Sequence, residues 1–339
     1  MEIISTVGKC DSERNKKIIL SGADCLRVNV GRNLTDISEC NNKLESLQRT
    51  MAEIGVKTKI MLDLPLPKAK IRFAKFKDRY IDIRENEERL LQYYKERQNG
   101  EINIPIANEY FCDYLEKEKK YIIGDGQGSF MVKEIINRNL ARVYFEKPMR
   151  IKKMSSINCT SGIRIEDENI YREVKNTIDI FRPDMVAFSF VESGKDIDMC
   201  MEKLGIYNLK EEMLIAAKIE NEQGLRNLLD ILEKVDIIIV ARGDLGVQMP
   251  IENLGIYQEY LINMTKEKHK KVVVATQVMD SLLVSESPSR ADVIDVTNCV
   301  IKGIDGIVLS DVTVDVYRPE RVVEMVRKIE NACKRGVCI

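Results

Sequence analysis

The amino-acid sequence predicts an α/β protein whose main domain is a (β/α)₈ TIM barrel. Short runs rich in Ile and Val alternate with longer stretches of helical period, as in a parallel sheet with crossover helices. The strand-like runs number eight, and a last helical stretch follows the eighth. One interval of about ninety residues, after the third strand, is far longer than an ordinary connection and itself has a β pattern. We therefore expect a small β-rich domain inserted there.

Eight apolar runs are the candidate barrel strands. They cover 2–8, 25–30, 57–64, 184–190, 213–219, 236–242, 271–277 and 304–310. A doubly wound open sheet is the alternative arrangement, and the count of eight favours a closed barrel.

The stretches between these runs carry apolar residues three and four apart, which is typical of amphipathic helices. They cover 12–22, 37–55, 167–181, 193–205, 222–235, 252–270 and 289–303. A last helix is predicted over 319–334, with Pro319 in its first turn. No internal repeat is evident.

The long interval divides the chain into barrel residues 1–72, an inserted β-rich domain at 73–166, and barrel residues 167–339. Three short strands are predicted within 120–126, 128–136 and 140–146, with glycines 124, 126 and 128 marking a turn. The charged segment 82–100 is predicted to be a helix or a mobile segment.

The composition excludes several classes of function. Lys and Arg total 53 against 54 Asp and Glu, so no excess of cations indicates a nucleic-acid partner. No apolar run is long enough to span a membrane. Nine cysteines without a CxxC pair suggest reduced thiols and a cytoplasmic location. His269 is the one histidine, so catalysis by a Ser-His-Asp triad or a multi-histidine metal site is excluded.

Polar residues occur where most of the predicted strands end. Because active sites of such barrels lie at the carboxyl ends of the strands, these side chains are expected to converge on one mouth. In strand order they are Arg27 and Asn29, Asp63, Ser189, Lys218 and Glu220, Arg242 and Asp244, Thr276 and Gln277, and Ser310.

Glu220 and Asp244 follow neighbouring strands, and two carboxylates facing one cleft suit Mg²⁺. Lys218 lies two residues before Glu220, on the same side of the strand, where an ammonium stabilises charge on a substrate oxygen. Gly243 lets an anion approach backbone N–H groups at the turn into the next helix. The alternative explanation of these charges is a structural Arg–Asp ion pair closing the barrel rim.

Several motifs resemble the central motifs of the pyruvate kinase family. They are KIENEQGL, VARGDLGVQMP, VVVATQVMDSL and PSRADVIDVTNCVIKGIDGIVLS, supported earlier in the chain by LRVNV, MLDLPLPKAKIR and MVAFSFV. The resemblance implies that the inserted domain is the family's lid and that the chain is a short form lacking the family's C-terminal domain. It also implies phosphoryl transfer between phosphoenolpyruvate and ADP, giving pyruvate and ATP.

The resemblance also implies roles for individual residues. Glu220 and Asp244 would hold Mg²⁺ or Mn²⁺, and Lys218 would stabilise the phosphoryl group and the enolate. The other implied roles are phosphate binding by Arg27 and Arg72, carboxylate binding by the amides of Gly243 and Asp244, substrate binding by Ser189, and a position for Thr276 near the carbon that gains a proton. In the lid, Asp125 would close toward the metal.

The chain departs from the family pattern at the potassium site. Asn29 and Asp63 are retained, but Gly31 and Leu64 offer no side-chain oxygen, and Lys68 stands where potassium-dependent members carry a carboxylate. We predict that the Lys68 ammonium substitutes for the monovalent cation, so K⁺ is not required.

The nucleotide side departs further, since several family residues there are replaced. Arg32, Asn29 and Lys153 are the candidate nucleotide contacts. Two alternatives stay open: an enzyme that uses enolate chemistry or a non-ADP acceptor, and a non-catalytic metabolite-binding protein. A homo-oligomer would form through the barrel faces.

Overall fold

The computed structural model describes residues 1–8, 10–30, 37–78, 80–96, 103–124, 126–159, 163–209 and 211–336. Contacts divide the chain into two compact units. The first comprises Met1–Pro67, Glu166–Leu245 and Glu252–Ile339; the second comprises Lys68–Ile165 and Gly246–Ile251. The domain bounds predicted from the sequence, 1–72, 73–166 and 167–339, remain predictions.

Eighteen strands lie in the described part of the chain, numbered in chain order. They are β1 (Glu2–Thr6), β2 (Cys25–Asn29), β3 (Lys59–Ala69), β4 (Ile71–Arg72), β5 (Tyr80–Ile83), β6 (Glu87–Tyr93), β7 (Ile104–Ile106), β8 (Lys120–Ile123), β9 (Gly128–Asn137), β10 (Leu140–Phe145), β11 (Met149–Lys152), β12 (Ser156–Asn158), β13 (Ile163–Arg164), β14 (Met185–Ser189), β15 (Leu214–Ile219), β16 (Ile237–Ala241), β17 (Lys271–Ala275) and β18 (Gly306–Leu309).

Eleven α-helices lie in the same described ranges. They are α1 (Ser12–Leu20), α2 (Ser38–Ile54), α3 (Glu168–Phe181), α4 (Gly194–Leu204), α5 (Glu222–Arg226), α6 (Leu228–Leu232), α7 (Arg242–Gln248), α8 (Leu254–Glu267), α9 (Arg290–Ile301), α10 (Asp311–Val314) and α11 (Pro319–Arg335). Short 3₁₀ segments lie at Phe111–Tyr114, Tyr207–Leu209, Ile251–Asn253 and Asp280–Leu283. None of the described helices is both long and apolar enough to cross a membrane.

The first unit is a closed barrel of eight parallel strands, which confirms the predicted fold class. The strand order is β1-β2-β3-β14-β15-β16-β17-β18, and β18 pairs with β1 to close the ring. Side chains of alternate strand residues, such as Ile4, Met61 and Ile239, fill the barrel interior. All eight predicted strand segments form barrel strands. The helix predicted over 222–235 is broken at Asn227 into α5 and α6.

Four aspartates join the strands at the amino-terminal end of the barrel. Each immediately precedes an alternate strand of the barrel. Each makes the same two hydrogen bonds with the second residue of the preceding strand in the barrel order. In every case the aspartate N–H donates to that residue's carbonyl, and the aspartate Oδ2 accepts that residue's N–H. The pairs are Asp24 with Ile3, Asp184 with Ile60, Asp236 with Ile215, and Asp305 with Val272.

The carbonyl of each aspartate continues the ring by accepting an N–H from the first residue of a barrel strand on its other side. The donors are Lys59 to Asp24, Leu214 to Asp184, Lys271 to Asp236, and Glu2 to Asp305. The hydrogen bonding at this end therefore repeats four times around the barrel, although no internal repeat is evident in the sequence. Polar groups at this end of such barrels serve stability rather than catalysis.

Replacing Asp236 with alanine is expected to lower the free energy of unfolding by about 1–3 kcal/mol, because the buried N–H of Ile215 loses its carboxylate partner. Asp236→Asn keeps an acceptor oxygen of the same reach and is expected to retain most of that stability. Urea titration of both variants measures the difference. Equal losses in the two variants would show that the hydrogen bond is not the cause.

The second unit is β-rich. Its seven-stranded sheet has the order β4-β12-β8-β9-β10-β6-β7, and β5 pairs with β11. Phe73, Phe111, Phe130 and Phe145 lie at the centre of its core. At its edge, β13 pairs with the end of β3, with Arg164 opposite Lys68.

The helix predicted over 82–100 was wrong where the structure describes this segment. That part of the chain contains β6, whose residues 87–92 pair with β10. Its Glu and Arg content favours a helix, but alternate residues Leu91 and Tyr93 are buried in the sheet. Pairing and burial override local propensity here.

Candidate active site

The candidate site lies at the carboxyl ends of the barrel strands. Side chains two residues apart on a strand point to the same side, so residues that follow the inner core project into the mouth. Cys25, Met61, Ala187 and Ala216 belong to the inner core, and Arg27, Asp63, Ser189 and Lys218 follow them by two positions on β2, β3, β14 and β15. The sequence prediction that these strand ends converge is therefore met for the four residues.

Asp63 lies between two cationic side chains. Arg27 donates to Asp63 Oδ2 through Nε at 2.8 Å and through Nη2 at 2.5 Å. Lys218 Nζ lies 3.4 Å from Asp63 Oδ1. Arg27 Nη1 also donates to Thr6 Oγ1 at 2.8 Å, so the guanidinium is held on two sides. Thr6 was not singled out from the sequence, although it is the last residue of β1.

Lys218 also contacts Glu220 and Ser189. Its Nζ lies 2.9 Å from Glu220 Oε1 and donates to Ser189 Oγ at 3.2 Å. Glu220 Oε2 accepts the N–H of Phe190 at 2.7 Å. Ser189 Oγ lies 3.4 Å from Asp63 Oδ1, so the hydroxyl forms a second connection between Lys218 and Asp63. Glu220 and Asp63 are 1% and 3% exposed, and this burial fixes the charged groups in place.

Charge neutralisation keeps these groups ionised despite their burial. Burial alone lowers the pKa of Lys218, but the carboxylates of Asp63 and Glu220, and then Asp244, raise it above its ordinary value. Burial alone raises the pKa of Asp63, but Lys218 and Arg27 hold it below its ordinary value. The lysine therefore carries a fixed positive charge at the mouth, which suits it to bind an anion and not to act as a base.

Arg242 has a structural role. β16 ends at Ala241, one residue before the predicted end, and Arg242 begins α7. Its Nη1 donates to both carboxylate oxygens of Asp295 on α9, each at 2.8 Å. Arg242 is 7% exposed. Arg242 therefore does form a structural Arg–Asp ion pair, which was the alternative explanation of these charges, and its partner is Asp295.

Thr276 and Gly243 are in contact. The N–H of Gly243 donates to Thr276 Oγ1 at 2.6 Å, and Thr276 Oγ1 donates to the carbonyl of Ala275 at 2.6 Å. A Cβ on residue 243 would lie 3.2 Å from Thr276 Oγ1, so glycine permits this close approach. The Gly243 amide, expected to bind a substrate carboxylate, would exchange this partner to do so.

Glu220 and Asp244 are the candidate metal ligands of the barrel. β15 and β16 are neighbours, with Ile219 opposite Val240; Glu220 directly follows β15, and Asp244 is the third residue after β16, within α7. Among the described residues no group of three or more His, Cys, Asp or Glu side chains forms a metal site. Two carboxylates fit a cation such as Mg²⁺, which keeps several positions for water and substrate oxygens.

The remaining predicted site residues are distributed differently. Asn29 lies opposite Asp63 in the β2–β3 register. Arg72, Lys68 and Lys153 belong to the second unit, where Arg72 Nη1 donates to the carbonyl of Met154 at 2.9 Å and Lys68 is 5% exposed. Lys68 is therefore not a solvated side chain. Their predicted roles at the barrel mouth stay predictions.

Arg32, Gly31 and Asp125 lie outside the described residues, so the predictions on them are unchanged. Glu192 accepts from Asn221 Nδ2 at 2.8 Å, and its carbonyl accepts from Asn227 Nδ2 at 2.7 Å. It joins the end of β14 to the helices after β15, which is a structural role.

A family model for the barrel domain of pyruvate kinase matches residues 1–323. This chain belongs to the pyruvate kinase family. The match covers both units, including the motifs around Lys218, Asp244 and Thr276 on which the resemblance was based.

Individual relatives agree with this assignment. The chain is 28% identical over 343 residues to the pyruvate kinase of Thermococcus litoralis, covering 97% of this chain and 68% of that protein. It is 27% identical to the cytosolic pyruvate kinase isozyme of Nicotiana tabacum, covering 93% and 62%, and 29% identical to the pyruvate kinase of Clostridium perfringens, covering 91% and 65%. The chain thus spans about two thirds of the length of these pyruvate kinases.

Proposed function

We propose that this chain catalyses phosphoryl transfer between phosphoenolpyruvate and ADP, giving pyruvate and ATP, with Mg²⁺ or Mn²⁺ as cofactor. The observation that carries the proposal is the buried network at the barrel mouth, in which Arg27 and Lys218 are positioned by Asp63 and Glu220. Two fixed cations suit a substrate that carries both a phosphoryl group and a carboxylate.

In this proposal, Lys218 and Arg27 bind the phosphoryl group and stabilise the charge that develops as it moves. The bond between phosphorus and the enol oxygen breaks, and an oxygen of the ADP β-phosphate forms the new bond to phosphorus. The electron pair stays on the enol oxygen, next to the Lys218 ammonium. Phosphoryl transfer depends mainly on positioning and charge stabilisation, which a rigid ion-pair network supplies.

The second half of the reaction is protonation of the enolate at its terminal carbon. Thr276 is the proposed neighbour of that carbon. Its hydroxyl already has a fixed orientation, because it accepts from Gly243 and donates to Ala275. A proton arriving from solvent converts the enolate to pyruvate.

Glu220 and Asp244 are the residues that would hold the divalent cation. When bound, the cation supplies positive charge that neutralises the substrate's carboxylate and phosphoryl oxygens. Glu220 Oε1 contacts Lys218 in this structure, so a cation bound by Glu220 would share this carboxylate with the lysine. The Lys218 ammonium and the divalent cation that the acidic pair would hold together suit a trianionic substrate.

A coupled assay tests the proposal. Pyruvate formed from phosphoenolpyruvate and ADP is reduced by lactate dehydrogenase, and NADH loss is followed with and without Mg²⁺. We expect turnover that requires both ADP and the divalent cation. A rate no higher than that of a Lys218→Met control would reject the proposed function. Turnover with other phosphoryl acceptors in place of ADP would indicate the alternative acceptor chemistry.

We expect activity to be independent of K⁺. The observations in support are the Lys68 side chain, which is buried, and the absence of side-chain oxygens at Gly31 and Leu64 in the sequence. A fixed ammonium supplies the charge that a bound monovalent cation would otherwise bring. The measurement is kcat in tetramethylammonium buffer with and without 100 mM KCl, and a change under about twofold is expected. Activation of tenfold or more would contradict the substitution.

A further inference from the structure

The turn after β17 has an unusual backbone. Thr276 and Gln277 are consecutive residues with φ of +66° and +51°. Residues with a side chain seldom adopt this left-handed region, and a β-branched residue such as threonine adopts it least readily. Such a conformation persists only where surrounding contacts enforce it, and it is concentrated at functional sites.

Arg242 supplies those contacts from the neighbouring strand end. Its Nε donates to the carbonyl of Thr276 at 3.1 Å, and its Nη2 donates to the carbonyl of Gln277 at 2.5 Å. The two carbonyls that Arg242 binds therefore belong to the two left-handed residues. The planar guanidinium presents its donors in a fixed geometry, which a lysine ammonium cannot reproduce.

Asp295 fixes the remaining edge of the same guanidinium. It lies within α9, and both of its oxygens lie 2.8 Å from Arg242 Nη1. Among the described residues, the side-chain hydrogen bonds of Asp295 connect it to the mouth only through Arg242. It is 33% exposed, so it is accessible to substitution without opening the core.

The residue after Arg242 holds the side chain of Thr276. The Gly243 N–H donates to Thr276 Oγ1, so Arg242 and Gly243 together bind the threonine by its carbonyl and by its hydroxyl. A shift of the guanidinium would therefore move both the turn and the hydroxyl.

We propose that Arg242 and Asp295 are positioning residues that hold Thr276 in its left-handed conformation and aim its hydroxyl into the mouth. The role of that hydroxyl beside the enolate carbon rests on the proposed function. In this proposal Arg242, directly after β16, holds the turn that follows the neighbouring strand β17, and Gly243 and Asp244 are the residues of this segment that bind substrate and cation.

Kinetics of single and double variants test the proposal. We expect Asp295→Asn to lower kcat about tenfold and Arg242→Lys about 100-fold, with the KM for phosphoenolpyruvate within about threefold of wild type. In a Thr276→Ala background each substitution is expected to change kcat by less than about twofold, because its effect passes through Thr276. Effects that multiply in full with Thr276→Ala would overturn the proposal.

Glu259→Gln is the matched control. It removes an exposed ion pair to Lys302, at the end of α9, and touches none of the residues above. Its kcat is expected to stay within about twofold of wild type. A loss of kcat equal to that of Asp295→Asn would show that the effect comes from general loosening of α9. That result would contradict a positioning role.

Crystal structures of the wild type and Asp295→Asn give a second readout that needs no turnover. We expect the variant to release the Thr276 and Gln277 carbonyls and to separate Thr276 Oγ1 from the Gly243 nitrogen beyond about 3.5 Å. An unchanged turn would overturn the proposal. A wild type without ADP-dependent turnover would instead remove the proposed function, and this structural comparison would still decide the positioning claim.

Discussion

Replacing Lys218 with methionine is expected to lower kcat by about 10³- to 10⁵-fold, a loss of the size seen when a cation is removed from a phosphoryl-transfer site. Lys218 is the charge shared by Asp63, Glu220 and the proposed substrate, and methionine keeps its length without that charge. The coupled assay with phosphoenolpyruvate, ADP and Mg²⁺ measures the change.

Lys234→Met is the control for this variant. Lys234 forms a surface ion pair with Asp198 and lies away from the mouth, so its loss is expected to leave kcat unchanged within about twofold. A Lys218→Met variant that is folded and retains more than a tenth of wild-type kcat would contradict the assignment of Lys218.

Replacing Asp63 with alanine is expected to lower the free energy of unfolding by about 3–5 kcal/mol, the usual result of removing one partner from a buried ion pair. The substitution leaves Arg27 and Lys218, both mostly buried, without the carboxylate between them. Asp198→Ala, which removes a surface carboxylate on α4, is expected to cost under about 1 kcal/mol. Urea denaturation of the two variants gives the comparison.

The Asp63 effect should also depend on pH, because the folded pKa of this carboxyl lies below its ordinary value. A carboxyl with a lowered folded pKa contributes stability above its unfolded pKa of about 3.9 and loses it as pH falls through the folded pKa. The gap in unfolding free energy between wild type and Asp63→Ala is therefore expected to narrow in acid. A gap that stays constant from pH 7 to pH 3 would show that the ion pairs are not its source.

The barrel was predictable because its strands have a strong local signal. The predicted strands 236–242 and 271–277 each contain an unbroken apolar run, at 237–241 and 272–275, as expected of strands buried on both faces, and their order along the chain indicated the topology. The convergence of Arg27, Asp63 and Lys218 followed from the same pattern, since residues at the ends of parallel strands share one edge.

The partners within the site were not predictable from one sequence. Asp295 lies 53 positions from Arg242, and nothing in its helix distinguishes it from other surface aspartates. The role of Thr6 was equally unpredictable, because its contact with Arg27 depends on the register of β1 and β2. Such contacts depend on the closed barrel and leave no local pattern.

The ring of aspartates did leave a pattern that could have been found. Asp24, Asp184, Asp236 and Asp305 each stand directly before an alternate strand of the barrel, and four such positions in eight strands form a regular series. The secondary structure of the inserted unit was harder to predict, because β6 is rich in charged residues and its extended conformation depends on pairing with β10.

The central claim is that Glu220 and Asp244 together hold a divalent cation beside Lys218. A crystal structure with Mn²⁺ and oxalate, a planar analogue of the enolate, tests it through the anomalous signal of the metal. We expect one Mn²⁺ within about 2.3 Å of an oxygen from each carboxylate, with oxalate completing the coordination. A metal bound elsewhere, or Glu220 still paired with Lys218 and no metal at the mouth under saturating Mn²⁺, would contradict it.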